Sequence, residues 1–309
     1  MVIVKLHFFV LLGHNKYCMT NIPILKINQF KQDKELTEFY SNELSNHFSK
    51  NKALIKKAHK HNFYLCILFL EGNGIHEIDF NSYTIKPGSV FFLKPGQTHA
   101  LKFTKEPKGF IFFHTQSFYE VSFSNNSLSQ FPFYYSQKNS PVLYLEKEDT
   151  IHIATYFSNL NEEYHSNYVY QEQKIIGLIN LIYIDLARYY IHLKPGRVNH
   201  SIRYLEILKA LEILIENNFS HTTSAKFYAD QLNISTKHLN RVVKNTLNKT
   251  TSELIIERVL LEAKRMMVHT DTSLSKIAET LNFDDYAYFS KVFKNKSNIT
   301  PLAFRKKYL

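Results

Sequence analysis

Residues 271–309 read DTSLSKIAETLNFDDYAYFSKVFKNKSNITPLAFRKKYL, and this stretch decides the fold. Leu274, Ile277, Ala278 and Leu281 fall at i, i+3, i+4 and i+7, the spacing of one short amphipathic helix. Ser273 stands before it as an N-cap, and Asn282 follows it as a side chain that tolerates left-handed backbone. Asp284 or Asp285 then caps a second helix over residues 286–295, whose Phe289, Val292 and Phe293 pack back on the first. Tyr286, Tyr288, Lys291 and Lys294 are left on its free face. Two short helices joined by a tight turn, the second basic outside, read as a helix-turn-helix.

The same grammar occurs once earlier. Ala225, Tyr228, Ala229 and Leu232 make a first helix, and Asn233, Ile234 and Ser235 make the turn, with Ser235 as N-cap. A second helix over residues 236–247 buries Leu239, Val242 and Val243 and frees Lys237, Asn240, Arg241 and Lys244. Any packed helix pair can imitate a lone copy. Two copies about fifty residues apart, bridged by one long helix over residues 252–268, are far more specific.

On these residues the chain resembles the AraC/XylS family of transcription regulators. The carriers are residues 226–249, the bridge ERVLLEAKRMM (257–267), SLSKIAETLNF (273–283), YFSKVFK (288–294) and TPLAFR (300–305). The resemblance covers roughly the last third of the chain. It departs from the family pattern at Asn233 and Asn282, where Gly is usual; both side chains accept the same left-handed backbone. The resemblance implies that Lys237, Asn240, Arg241 and Lys244 face DNA from the first recognition helix, and Tyr286, Ala287, Tyr288, Lys291 and Lys294 from the second. Arg can pair with guanine and Asn with adenine, whereas Lys244 and Lys294 suit phosphate.

Working outward, residues 202–219 form the leading helix of this DNA-binding half, and Lys194-Pro195-Gly196-Arg197 marks a linker over 193–201. Before it, Ile151, Ala154, Phe157 and Leu160 take helical spacing. Ile175, Ile179, Ile182, Leu186 and Tyr189 recur at steps of four and three, which suits either packing on the preceding domain or a seam with another helix. Regulators of this family commonly pair through helices after the sensing domain, so the resemblance implies a homodimer formed through residues 147–192.

From Phe63 the period changes to two. Phe63, Leu65, Ile67 and Phe69 alternate with Tyr64, Cys66, Leu68 and Leu70, and since both sets are apolar the strand is buried on both faces. Gly72-Asn73-Gly74, Asn81-Ser82, Pro87-Gly88 and Pro95-Gly96 mark turns, with strands over 90–94, 99–103 and 110–115. Residues 116–140 carry no clear period and read as an irregular excursion. EGNG (71–74), PGSVFF (87–92) and PGQTH (95–99) resemble the cupin-like N-terminal domain of the same family. The expected fold is therefore α+β in two domains. A cupin-like β-barrel over 19–146 with trailing helices precedes an all-α tandem helix-turn-helix domain over 202–309.

A metal-dependent cupin enzyme is the rival reading. Such enzymes gather several His and a Glu, but His76 and Asp79, three apart, point to opposite strand faces, and His99 has no full set to join. No catalytic residue, metal or cofactor is expected. His99, Tyr64 and His76 are instead expected to contact a small-molecule effector.

Composition adds outer bounds. The net charge of +11 favours an anionic partner, but it is shared between the halves, since residues 202–309 hold 17 Lys+Arg against 11 Asp+Glu. The two cysteines, Cys18 and Cys66, give neither a disulfide framework nor a metal cluster and suit a reducing compartment. Residues 2–12 are apolar but broken by Lys5 and His7, short of the ~20 residues a spanning helix needs. Residues 1–18 are expected to be an upstream extension, with Met19 beginning the functional chain. The expectation is a cytoplasmic, effector-responsive activator that binds double-stranded promoter DNA and engages RNA polymerase. The effector itself is not legible.

Overall fold

The computed structural model describes residues 23–30, 36–120, 128, 131–135, 139–192 and 202–308. The expected extension over 1–18, the start at Met19 and the linker over 193–201 lie outside the described residues. The N-terminal half opens with β1 (Ile24–Leu25), a 3-10 turn (Ile27–Phe30), β2 (Phe39–Glu43), α1 (Leu44–Ile55) and β3 (Lys60–His61). It continues through β4 (Tyr64–Ile78), β5 (Asn81–Ile85), β6 (Ser89–Leu93) and β7 (His99–His114). The short helices α2 (Gln116–Glu120) and α3 (Pro132–Tyr135) lead to β8 (Val142–Tyr144), then to α4 (Lys147–His165) and α5 (Gln171–His192).

One six-stranded sheet runs in the order β2-β7-β4-β6-β8, with β5 paired on the far half of β4, while β1 and β3 form a separate parallel pair. The expected barrel therefore does not close among the described residues: β2 and β8 remain as edges. Closure is unnecessary because α4 lies against β2, β4 and β7, and α1 against β2 and β7, so helices cover the apolar faces. Leu65 to Phe69 are buried on both faces of β4, as their unbroken apolar run requires.

The Gly72-Asn73-Gly74 segment does not turn the chain. β4 passes straight through it, with register shifts against β7 between Phe69 and Gly74, and β7 itself runs unbroken where two strands were expected. The glycines serve close backbone approach instead: a Cβ on Gly74 would lie 2.2 Å from the Lys102 carbonyl oxygen. The real reversal is the two-residue turn Asp79-Phe80, since Ile78 pairs with Asn81. Both turn residues have positive φ, 45° and 70°, the conformation of a type I′ hairpin. A Phe where Gly is usual makes this a strained turn.

The stripe offered as a dimer seam is internal. Ile175, Ile179, Ile182 and Leu186 are each 0% exposed, in the same core as the sheet and α4. Of the two readings left open by their spacing, packing on the chain's own domain is the observed one.

The C-terminal half is all helical: α6 (Ile202–Asn218), α7 (Ala225–Gln231), α8 (Thr236–Leu247), α9 (Thr251–His269), α10 (Leu274–Thr280), α11 (Tyr286–Ser297) and α12 (Pro301–Tyr308). Ile255, Val259, Ala263 and Met267 run down one side of α9 and are fully buried in the core shared by both helix-turn-helix units. Since Ile182 sits in the N-terminal core, Ile182→Glu is expected to unfold that half rather than yield folded monomers. Near-ultraviolet circular dichroism should show lost tertiary packing; an intact spectrum with a smaller sedimentation coefficient would restore the seam reading.

Candidate functional site

Each helix-turn-helix is built by local side-chain chemistry. Asn233 and Asn282 end α7 and α10 at φ 53° and 60°, the left-handed conformation their side chains tolerate. Ser235 Oγ accepts the His238 amide at 3.2 Å, and Asp285 Oδ1 accepts the Tyr288 amide at 2.7 Å, so each recognition helix begins on a side-chain cap. Asn248 and Asn298 close those helices, again with positive φ. At the start of α9, Thr250 and Glu253 form a capping box.

On α8, Lys237, Arg241 and Lys244 are exposed on one face, and on α11 Ala287, Tyr288, Lys291 and Lys294 are exposed at matching positions. Two expected contacts behave differently. Asn240 is half-buried, and its Oδ1 accepts the Thr251 amide at 3.0 Å, which ties α8 to the start of α9. Tyr286 is half-buried, with its ring 6.1 Å from Phe289. Lys296 bonds Glu253 at 3.0 Å, bracing α11 against α9. The structure thus brings the exposed basic residues onto two parallel-built helices while turning Asn240 and Tyr286 partly inward.

A second feature lies where the halves meet. Arg265, on α9, donates through Nε and Nη2 to the two carboxylate oxygens of Asp79 at 3.0 and 2.8 Å. The side chains are 6% and 11% exposed. Asp79 also accepts the Thr98 amide at 3.2 Å, and Arg265 reaches Glu262 at 3.2 Å, so the pair is held from both sides. Beside it Phe80 packs edge-on against Phe304 and Tyr308 of α12, at 5.5 and 5.3 Å. The strained turn is therefore the contact from sheet to DNA-binding half.

Adjacent to this contact is a cavity of about 400 Å³, within the range of small-molecule sites. Tyr64, Phe92, Phe133 and Tyr134 supply an aromatic wall from the N-terminal half, while Arg258 and Leu261 of α9 face them. Burial pushes the Lys94 ammonium pKa down and the Tyr64 phenol up to about 12. Arg258 is bridged to Glu216 by bonds of 2.7 and 2.8 Å, so a ligand here would compete with existing ion pairs.

Residues 228–307 match the model of a helix-turn-helix domain, and residues 52–115 match that of the AraC-like ligand binding domain. The chain belongs to the AraC/XylS family of transcription regulators. Among its relatives, the uncharacterized HTH-type transcriptional regulator YfiF of Bacillus subtilis is 22% identical over 92% of this chain and 89% of its own length. The HTH-type transcriptional activator RhaS of Citrobacter koseri is also 22% identical, over 80% and 86% of the two chains. Among solved structures, a ToxT variant of Vibrio cholerae in its apo form is 15% identical, covering 90% of this chain and 100% of its own, with a TM-score of 0.40.

In this AraC-family regulator the three expected effector contacts part company. Tyr64 lines the large cavity. His99 instead borders a separate cavity of about 10 Å³ inside the sheet domain, and His76 is fully buried behind it, with Nε2 2.8 Å from His99 Nδ1. The expectation that His99 has no set to join is corrected: His59 and His61 stand beside it, all three buried. Asp79, expected on the strand with His76, is in the turn that follows β4. Burial holds these rings neutral, the His76 pKa falling to about 3. His59 and His61 went unread because β3 is only two residues long, although their i, i+2 spacing is the signal of a shared strand face.

Proposed function

We propose that this regulator is an effector-responsive transcription activator whose signal passes from the 400 Å³ cavity to DNA through the Asp79–Arg265 pair. The observation that carries the reading is the shared wall: side chains of the sheet domain and of α9 line one cavity, and α9 is also the helix between the two DNA readers. A ligand can shift the arrangement of the halves only by binding one arrangement better than another, and a cavity walled by both halves supplies that difference. Its aromatic wall and ionic rim fit a small molecule with an apolar body and polar groups. Nothing in this reading asks for catalysis, and the chain is a cytoplasmic regulator with RNA polymerase as its partner at the promoter. No helix among the described residues is long and apolar enough to cross a membrane.

In this reading Lys237, Arg241 and Lys291 read bases, with Ala287 and Tyr288 against the groove floor, and Lys244 and Lys294 bond phosphate. Asn240 and Tyr286 shape the readers from behind. Pairing into a homodimer uses the outer side of α5, where Leu181 and Ile191 are exposed, because the inner stripe is filled.

Two experiments follow. Arg241→Ala is expected to remove about 1–3 kcal/mol of preference at one base position, whereas Lys294→Ala weakens all sequences alike. Titrations against promoter and scrambled DNA separate the two, and equal losses on both DNAs for Arg241→Ala would contradict its role. For the signal route, small amphipathic metabolites that raise the melting temperature of the full chain should change promoter affinity about 5-fold or more. Asp79→Ala should abolish that change, with metabolite binding measured alongside by calorimetry because Asp79 also lines the cavity; an unchanged response would sink the route.

A further inference from the structure

The sheet domain holds a second cluster that the effector reading does not use. His59 and His99 face each other across an antiparallel bridge, bonded both ways through their backbones, from His59 N to His99 O at 3.1 Å and back at 2.9 Å. His61 lies two residues on, so it shares the face of His59. Backbone geometry alone thus sets three imidazoles in a triangle, with ring centroids 4.4, 4.5 and 5.0 Å apart. One nitrogen from each ring lies within 4.8 Å of the others.

Proton bookkeeping leaves this cluster incomplete. His61 Nε2 is 2.9 Å from His99 Nε2, and His99 Nδ1 is 2.8 Å from His76 Nε2. A neutral ring has one N–H and one lone pair, so the chain of three rings can satisfy both contacts in either direction. The outer nitrogens, His61 Nδ1 and His76 Nδ1, are buried without a partner among the described residues. In either direction one end is a stranded donor and the other a stranded acceptor, which is costly away from water.

A cation changes the arithmetic. His59 Nδ1 lies 2.9 Å from the Lys57 carbonyl, which fixes its proton there and leaves Nε2 as a lone pair aimed at the cluster. With His99 Nδ1–H donating to His76, its Nε2 is also a lone pair, and His61 in its Nδ1–H tautomer turns a second lone pair toward it, so that a shared cation takes the place of the proton between them. Two of the three rings are then oriented from behind by a hydrogen bond, the usual outer support of a metal-bound histidine. Tetrahedral zinc with bonds of about 2.0–2.1 Å needs nitrogens about 3.3 Å apart, so the 2.9 Å contact has to open by a few tenths of an ångström and separations of up to 4.8 Å have to close by up to about 1.5 Å through ring rotation. The adjoining cavity of about 10 Å³ has room for about one water as a fourth ligand.

We propose that His59, His61 and His99 bind a divalent transition-metal ion of the zinc class, with His76 as a positioning residue behind His99. Imidazole-only ligation suits Zn²⁺, Co²⁺, Ni²⁺ or Fe²⁺ rather than Mg²⁺ or Ca²⁺. The ion ties β3 to the start of β7 beside Thr98, whose amide bonds Asp79, so it braces the strand end that carries the contact between the halves. This site is separate from the 400 Å³ cavity and stands whether or not that cavity binds an effector.

The test uses the full chain without a histidine tag. After chelation and dialysis it is titrated with Zn²⁺ and with Co²⁺, alongside His221→Ala as a control for surface histidine. One equivalent should bind to both proteins, Co²⁺ should give the visible bands of a tetrahedral site, and Mg²⁺ should not compete. His61→Ala should abolish the site, and His76→Ala, which removes no ligand, should weaken it about 10–100-fold. Circular dichroism reports whether the variants fold. X-ray absorption on zinc-loaded wild type is independent of them and should count three imidazole nitrogens. No saturable binding, undiminished binding by folded His61→Ala, or a first shell with fewer than three imidazoles would each overturn the proposal.

Discussion

Helix α9 is the constraint on which the rest of the molecule depends. Its buried side joins both helix-turn-helix units into one core, its Arg258 is bonded to Glu216 of α6, and its Arg265 reaches Asp79 in the other half of the chain. Nineteen residues at 1.5 Å per residue make a rod about 28 Å long. A rod that is helical throughout cannot be shortened or bent without breaking hydrogen bonds, so the distance between the readers is fixed before DNA arrives. The same rod delivers Arg265 to Asp79, and truncating one partner of such a buried pair costs about 3–5 kcal/mol. One element therefore sets how DNA is read and how the sensing half could influence the reading.

The strained turn gives that influence a physical form. Asp79 and Phe80 hold positive φ where glycine would cost less, and what they gain is contact: one carboxylate on Arg265 and one ring on Phe304 and Tyr308. Strain of this kind persists only where the surroundings over-determine it. Releasing the carboxylate would leave a strained turn with half its reason removed, which favours a discrete change over a gradual one.

Much of the C-terminal half was legible because its signals are local. Ser235, Asp285, Asn233 and Asn282 act within a few residues of themselves, so caps, turns and helix spans follow directly from their order. The N-terminal half is long-range, and there the sequence was less informative. Gly72 and Gly74 signal special backbone, but whether that means a turn or a bulge depends on Lys102 and Pro107, some thirty residues away. The apolar stripe of α5 carries no mark of which surface covers it. Asn240 has the chemistry of a base reader, and only the nearness of Thr251 shows its oxygen to be engaged. His59 and His61 precede the first strand long enough to show a period.

To enter successive major grooves on one face of DNA, the two readers on either side of α9 must sit about 34 Å apart, one turn of the double helix. Hydroxyl-radical footprinting of the purified chain on its promoter measures this. Each subunit should protect two segments on one DNA face, about ten base pairs apart. One protected segment per subunit, or two at a spacing that varies between sites, would contradict the rigid tandem arrangement.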